Sequence, residues 1–136
     1  MSLEDVKLIK LPKILDERGN LSFLEQNAQA PFEIRRVYWI YDVPGGEERG
    51  GHSYFVNEEV IVALSGSFDV VLNDGHSQQT FSLNRSYYGL YVPAGIWRQM
   101  NNFSTNSLAF ILASTDFDEK DYERDFNKFR EDGKYL

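Results

Sequence analysis

The sequence predicts an all-β sandwich or barrel closed by one short C-terminal helix, and three observations carry that expectation. Short runs rich in Val, Ile, Phe and Tyr recur between residues 21 and 114, turn residues punctuate them, and the hydrophobic period lengthens from two to about 3.6 only in the last segment. Aromatic residues make up 15% of the chain and hydrophobic residues 42%. That composition suits strands and supplies a core, and 136 residues is the size of one domain of roughly 100–200 residues.

Taken in order, LSFLEQ (21–26), IRRVYWIYDV (34–43), EVIVAL (59–64), SFDVVLN (67–73), QQTFSL (78–83), YGLYV (88–92), WRQMNN (97–102) and SLAFILAS (107–114) read as eight strands. Asn73-Asp74-Gly75 is a hairpin signature and Ser65-Gly66 another tight turn, while Pro44-Gly45-Gly46 and Pro93-Ala94-Gly95 break strands. Strands spaced this way point to a sandwich or barrel over about 14–114. In the last segment Tyr122, Phe126 and Phe129 fall at i, i+4 and i+7, which predicts a helix over about 118–132 with Asp118 as its cap and Gly133 as its stop. Its aromatic stripe is expected to pack on the barrel or on a second subunit.

Several function classes are set aside by composition. Without cysteine the chain has no disulfide, thiolate zinc site or cysteine nucleophile. A net charge of -7 argues against a sequence-independent nucleic-acid binder, which needs a basic face, but leaves room for a small phosphorylated ligand. The opening MSLEDVKLIK carries acids where a signal peptide needs bases, and no apolar run approaches the ~18 residues of a membrane span. The expectation is a cytoplasmic protein with no membrane partner.

The stretch RGGHSYFVNEEVIVALSG (49–66) carries the chemistry. On a strand, residues i and i+2 share a face, so His52 and Tyr54 look together into the barrel or out of it. An imidazole with an ordinary pKa near ~6.5 suits a base at neutral pH, and a phenol near ~10 suits a proton donor. His76, on the hairpin tip after Asp74-Gly75, reads as solvated.

Five segments also carry a resemblance. Asp16-Glu17-Arg18-Gly19, Arg36-Val37-Tyr38-Trp39-Ile40, Arg49-Gly50-Gly51-His52-Ser53-Tyr54, Gly89-Leu90-Tyr91-Val92 with Trp97, and Asp121-Tyr122-Glu123-Arg124 resemble, in order, the motifs of the cupin-fold sugar 3,4-ketoisomerases that act on thymidine-diphosphate 4-keto-6-deoxyglucose. The chain departs from that pattern at Tyr54, where the family's H-x-H has its second histidine, and at Arg98, where a histidine follows the motif tryptophan.

The resemblance implies a cupin jelly-roll barrel, a dimer, a thymidine-diphosphate sugar as substrate, and isomerisation through an enediol with no redox cofactor. His52 and Tyr54 are then the acid/base pair. Arg18 and Arg49 match positions that line the nucleotide-sugar site, where guanidinium forks suit diphosphate oxygens. Tyr38, Tyr91 and Trp97 fall to the substrate site or to the core, and Arg36 to the site or to structure. Arg98 stands to clamp a phosphate or sugar oxygen, or to form a structural ion pair, while Arg35, Arg85 and Arg124 read as surface or structural residues. With His52 and one of Glu58 or Glu59 as the available ligands, and a permanent cation at Arg98, no catalytic metal is expected. Because related cupin 3,5-epimerases pair a histidine base with a tyrosine acid, epimerisation is one alternative; a sugar-nucleotide-binding cupin without a proton shuttle is another.

Overall fold

Alternating apolar strands and tight turns fold into two five-stranded antiparallel sheets and a separate hairpin in the computed structural model, which describes residues 1–133. The first sheet runs β1 (Lys7–Lys10), β9 (Tyr88–Val92), β6 (Glu59–Ser65), β11 (Leu108–Ala113), β4 (Arg36–Tyr41). The second runs β12 (Tyr122–Glu123), β5 (Arg49–Tyr54), β10 (Trp97–Asn101), β7 (Phe68–Asn73), β8 (Gln78–Leu83). β2 (Lys13–Ile14) and β3 (Leu21–Ser22) make the hairpin, and α1 (Phe126–Gly133) comes after β12.

Sequence neighbours such as β5 and β6, or β10 and β11, lie in different sheets, so the chain crosses repeatedly between layers, as in a jelly roll. The core lies between them. Val70 and Leu72 of β7, Ile61 of β6, Ile111 of β11 and Met100 of β10 are all fully buried there. β7 alternates buried and half-buried residues, the pattern of a strand with one covered face. β6 is buried on both faces over its first five residues, because Val60 and Val62 point outward under a second cluster built from Leu11, Ala30, Phe32 and Leu112. That double cover explains why EVIVAL reads as a continuous apolar run.

Four boundaries differ from the sequence expectation. β1 is absent from that expectation, since KLIK carries too little apolar signal; it joins the sheet by pairing with β9, so the barrel begins before residue 14. LSFLEQ contributes only Leu21–Ser22 as strand. Arg49–Tyr54 is itself a full strand, which its glycines disguise. The helix starts at Phe126 rather than 118; Asp118 caps a single 3-10 turn over Glu119–Asp121, its side chain accepting from the Lys120 N–H at 3.0 Å. Gly133 is the last described residue of α1, and its expected role as a stop depends on positions outside the described residues. The aromatic stripe packs on the barrel as expected: Phe126 and Phe129 meet Trp97 at ring distances of 5.1 and 5.6 Å. Among the described residues no helix is long and apolar enough to cross a membrane.

Candidate active site

A cavity of about 470 Å³ opens at one end of the sandwich, where β4 of the first sheet faces β5, β10 and β12 of the second. His52 and Tyr54 both line it, as their i, i+2 spacing on β5 requires. Their rings meet edge to face at 4.8 Å. Gly50, at φ +78°, lets β5 bulge against β10 between the pairs Arg98↔His52 and Met100↔Arg49. A Cβ there would make only ordinary contacts, with the Met100 Cε at 3.4 Å and the Arg98 guanidinium at 3.7 Å, so it is the left-handed backbone conformation that favours glycine.

Arg98 lies directly across the strand pair from His52 and is 1% exposed. Its Nη1 donates to His52 Nε2 at 2.7 Å, and its Nε stands 3.1 Å from Glu59 Oε1. That second contact is an ion pair without the alignment of a hydrogen bond, and Nη2 has no partner among the described residues. The other carboxylate oxygen of Glu59 accepts a hydrogen bond from the Tyr38 hydroxyl. Tyr38, Glu59, Arg98 and His52 thus form one polar chain linking the two sheets. Because a guanidinium has only donors, Nε2 of His52 is the acceptor and the neutral ring carries its proton on Nδ1.

The electrostatics arise from burial and this one cation. Burial first, then the charges of Arg98 and Arg124, lower the His52 pKa to about 3, so the imidazole is neutral at neutral pH. Burial, reinforced by the Glu59 carboxylate, pushes the Tyr54 phenol well above its usual value. Tyr38 is raised for the same two reasons, burial first. Burial works against the charge on Arg98, but Glu59 and the surrounding tyrosines more than offset it, and the pKa is raised. The cavity therefore presents a neutral imidazole, a fixed cation and protonated phenols.

Tyr122 completes the aromatic wall, although its spacing in sequence predicts a place on the helix. It sits on β12, opposite Tyr54; its hydroxyl accepts from the Tyr54 hydroxyl at 3.3 Å, and its ring is 4.9 Å from that of His52. What holds it there is Asp121, whose carboxylate takes the N–H groups of Val56 and Asn57 at 2.8 and 3.0 Å. Arg124 is more than half exposed and paired with Glu119 at 3.0 Å, as its sequence context suggests, but it also lies over the Tyr122 ring at 4.3 Å and lines the cavity.

The expected binding residues divide into two groups. Tyr38, Arg49 and Arg98 line the cavity with the proposed pair. Trp97 does not: adjacent to Arg98 on one strand, it must face the other way, and it packs on α1. Tyr91 donates to Glu58 and packs on Phe32 at 6.4 Å, on the outer face of the first sheet. Arg18 lies in the turn between β2 and β3, its side chain 90% exposed and paired with Asp16 at 2.9 Å, away from the cavity. Arg36 stands beside the site rather than in it, 5.5 Å from the Tyr38 ring and 5.7 Å from that of Phe117. Glu59 enters the sequence reading only as a metal ligand. Its signal is an acid opening an otherwise apolar strand. Among the described residues no three His, Asp or Glu side chains cluster to hold a metal.

A family model described as "FdtA: WxcM-like, C-terminal" matches residues 4–134. The chain is 42% identical over 124 residues to the TDP-4-oxo-6-deoxy-alpha-D-glucose-3,4-oxoisomerase of Aneurinibacillus thermoaerophilus, covering 91% of this chain and 89% of that one. A 3,4-ketoisomerase from Helicobacter canadensis superposes with a TM-score of 0.93 at 37% identity, over 96% of this chain and 98% of that one. QdtA, a sugar 3,4-ketoisomerase from Thermoanaerobacterium thermosaccharolyticum solved with TDP, gives 0.95 at 34% identity over 98% of each chain. A histidine-to-asparagine variant of QdtA was solved with TDP-4-keto-6-deoxyglucose. At 14% identity and a TM-score of 0.79, over 90% of this chain and 79% of that one, a Bacillus anthracis dTDP-4-dehydrorhamnose 3,5-epimerase shares the fold alone. A match over nearly the whole chain, joined to a cupin-like jelly roll whose cavity gathers His52, Tyr38 and Arg98, makes this protein a member of the FdtA family of WxcM-like sugar 3,4-ketoisomerases.

Proposed function

We propose that this protein is the 3,4-ketoisomerase of TDP-4-keto-6-deoxyglucose in deoxysugar biosynthesis, with His52 as the base and Tyr54 as the acid. The observation that carries the residue assignment is the pairing of a neutral, buried imidazole with a protonated phenol, 4.8 Å apart in a cavity of about 470 Å³. That volume is in the ~300–1,000 Å³ range of small-molecule sites.

The reaction is an internal redox-neutral shift. The base removes the C3 proton, the C–H electron pair becomes the C3=C4 bond, and O4 takes the negative charge. A proton then returns to C4 while the O3 hydroxyl's proton passes to O4, leaving the carbonyl at C3 and a hydroxyl at C4. Arg98 supplies a fixed cation beside the developing oxyanion, where a dry site makes it worth more than in water. Arg49 and Arg124, at the mouth, suit the diphosphate. The dimer expected of the family is part of this proposal, with the exposed face of β4 as the contact.

Incubation with the 4-keto-6-deoxy nucleotide sugar in D2O tests the reading. Loss of the C3 hydrogen with deuterium at C4 and the carbonyl moved to C3 is the expected result; exchange at C5 instead makes the protein an epimerase, and no exchange makes it a binding protein. His52→Asn is expected to abolish turnover while TDP still binds.

A further inference from the structure

We propose that Glu59 is a positioning residue for this isomerisation: acting through Arg98, it fixes the tautomer of His52 and keeps Nε2 capped until the substrate's own oxygens take the guanidinium. The inference rests on the ketoisomerase reading above and adds how its base is held and released.

Glu59 does not line the cavity; it stands behind it, 1% exposed, at the start of β6. One carboxylate nevertheless ties together two groups that do line it, Tyr38 from the first sheet and Arg98 from the second. Burying such a pair is costly unless the remaining donors and acceptors are satisfied. Here they are not all satisfied. Arg98 commits Nη1 to an imidazole nitrogen and leaves Nη2 without a partner among the described residues, although its side chain is only 2% exposed. A purely structural ion pair gains nothing from either feature. A guanidinium waiting for two oxygens gains from both.

The cap has a chemical consequence. While Arg98 donates to Nε2, the lone pair that must take the C3 proton is occupied. As charge develops on O4, an anionic oxygen becomes a stronger acceptor than a neutral imidazole. Nη1 and Nη2 then form a fork that matches O3 and O4 of a cis-enediolate, as it matches a carboxylate. Nε2 is freed in the same movement, and the proton lost from C3 goes to it, with no outside reactant needed. Glu59, held on its far side by Tyr38, keeps the guanidinium beside the sugar during the exchange. The other charged and titratable groups facing His52 are Tyr54 on its own strand, Tyr122 on β12 and Arg124 after it.

The test is imidazole 15N-correlated NMR on the free full-length protein, alongside steady-state kinetics. The chain has two histidines, and His76→Gln assigns the exposed one. Wild-type His52 is expected as the pure Nδ1–H tautomer. In Glu59→Gln that preference is expected to be lost and kcat to fall ~100-fold or more, with TDP affinity within about threefold; Glu59→Asp is expected to recover part of both. A wild-type Nε2–H tautomer overturns the proposal, and so does a Glu59→Gln protein with unchanged tautomer and kcat. If Glu59→Gln fails to fold, Glu59→Asp decides: wild-type kcat with a mixed tautomer overturns the link. A protein that exchanges no substrate hydrogen sinks the ketoisomerase reading separately, since the tautomer is read without substrate.

Discussion

Arg98 Nη1 lies 2.7 Å from His52 Nε2 on the neighbouring strand. Together with burial, the larger cause, this cation lowers the His52 pKa to about 3. The acid limb of kcat/KM reports groups of the free enzyme. It is therefore expected to lie far below the ordinary histidine value of ~6.5, with kcat/KM flat between pH 8 and pH 5. An acid limb near 6.5 in the wild-type protein counts against a buried, capped base.

The same depression makes stability depend on pH. Between about 3 and the unfolded value near ~6.5, the unfolded chain binds a proton that the folded chain refuses. The sign is then fixed: the protein is most favoured above ~6.5, and stability falls as pH drops through that window by at most ~1.4 kcal/mol per unit from this group. Urea unfolding at pH 7.5 and pH 5.5 measures it. His52→Asn removes the titrating group, so the variant is expected to lose about this much of the wild-type difference between the two conditions. An undiminished slope in the variant places the pH sensitivity in other residues.

Tyr54 is held protonated by burial and by Glu59, and its hydroxyl donates to that of Tyr122. It suits giving a proton and does not suit taking one. Tyr54→Phe is expected to lower kcat by ~10²-fold or more, in the range of lost general-acid catalysis, with TDP affinity nearly unchanged. Tyr122→Phe, which removes only the partner hydroxyl, is expected to cost less than Tyr54→Phe. Equal losses in the two variants shift the acid role to the pair. If Tyr54→Phe is silent, the acid lies elsewhere in the cavity, with Tyr38 the next phenol to test.

Much of this site is legible in the residues because strand geometry is local. A period of two puts His52 and Tyr54 on one face of β5 wherever β5 goes, and the cavity contains both. Cross-sheet relationships are not legible. Tyr122 falls in helical register with Phe126 and Phe129, and only the Asp121 clamp on Val56 and Asn57 draws it into β12 beside Tyr54. Glu59 looks in sequence like the polar edge of an apolar strand; its partners Tyr38 and Arg98 are 21 and 39 positions away in the chain. The sequence leaves both Trp97 and Arg98 open to the substrate site, although neighbours on a strand point to opposite faces. One of the two has to leave the site, and the aromatic face of α1 takes Trp97.

The outer face of β4 bears on assembly. Val37, Trp39 and Tyr41 point outward from this edge strand at 45%, 54% and 62% exposure, and Leu64 of β6 adds to the same surface. Large apolar side chains gathered on an edge strand suit a surface covered by a second copy, because a bare edge invites strand pairing and aggregation. Trp39 also lines the active-site cavity, so a second copy seated here would stand at the mouth of the site. Sedimentation velocity on the wild-type protein is expected to give a dimer. Replacing two of these side chains, Trp39→Glu with Tyr41→Lys, is expected to give a folded monomer, since both are more than half exposed and neither belongs to the buried core. A wild-type monomer overturns the dimer, and a variant that remains dimeric moves the interface off this face. Because β4 also carries Tyr38, which lines the cavity and donates its hydroxyl to Glu59 behind it, loss of the partner is expected to lower kcat as well as change mass.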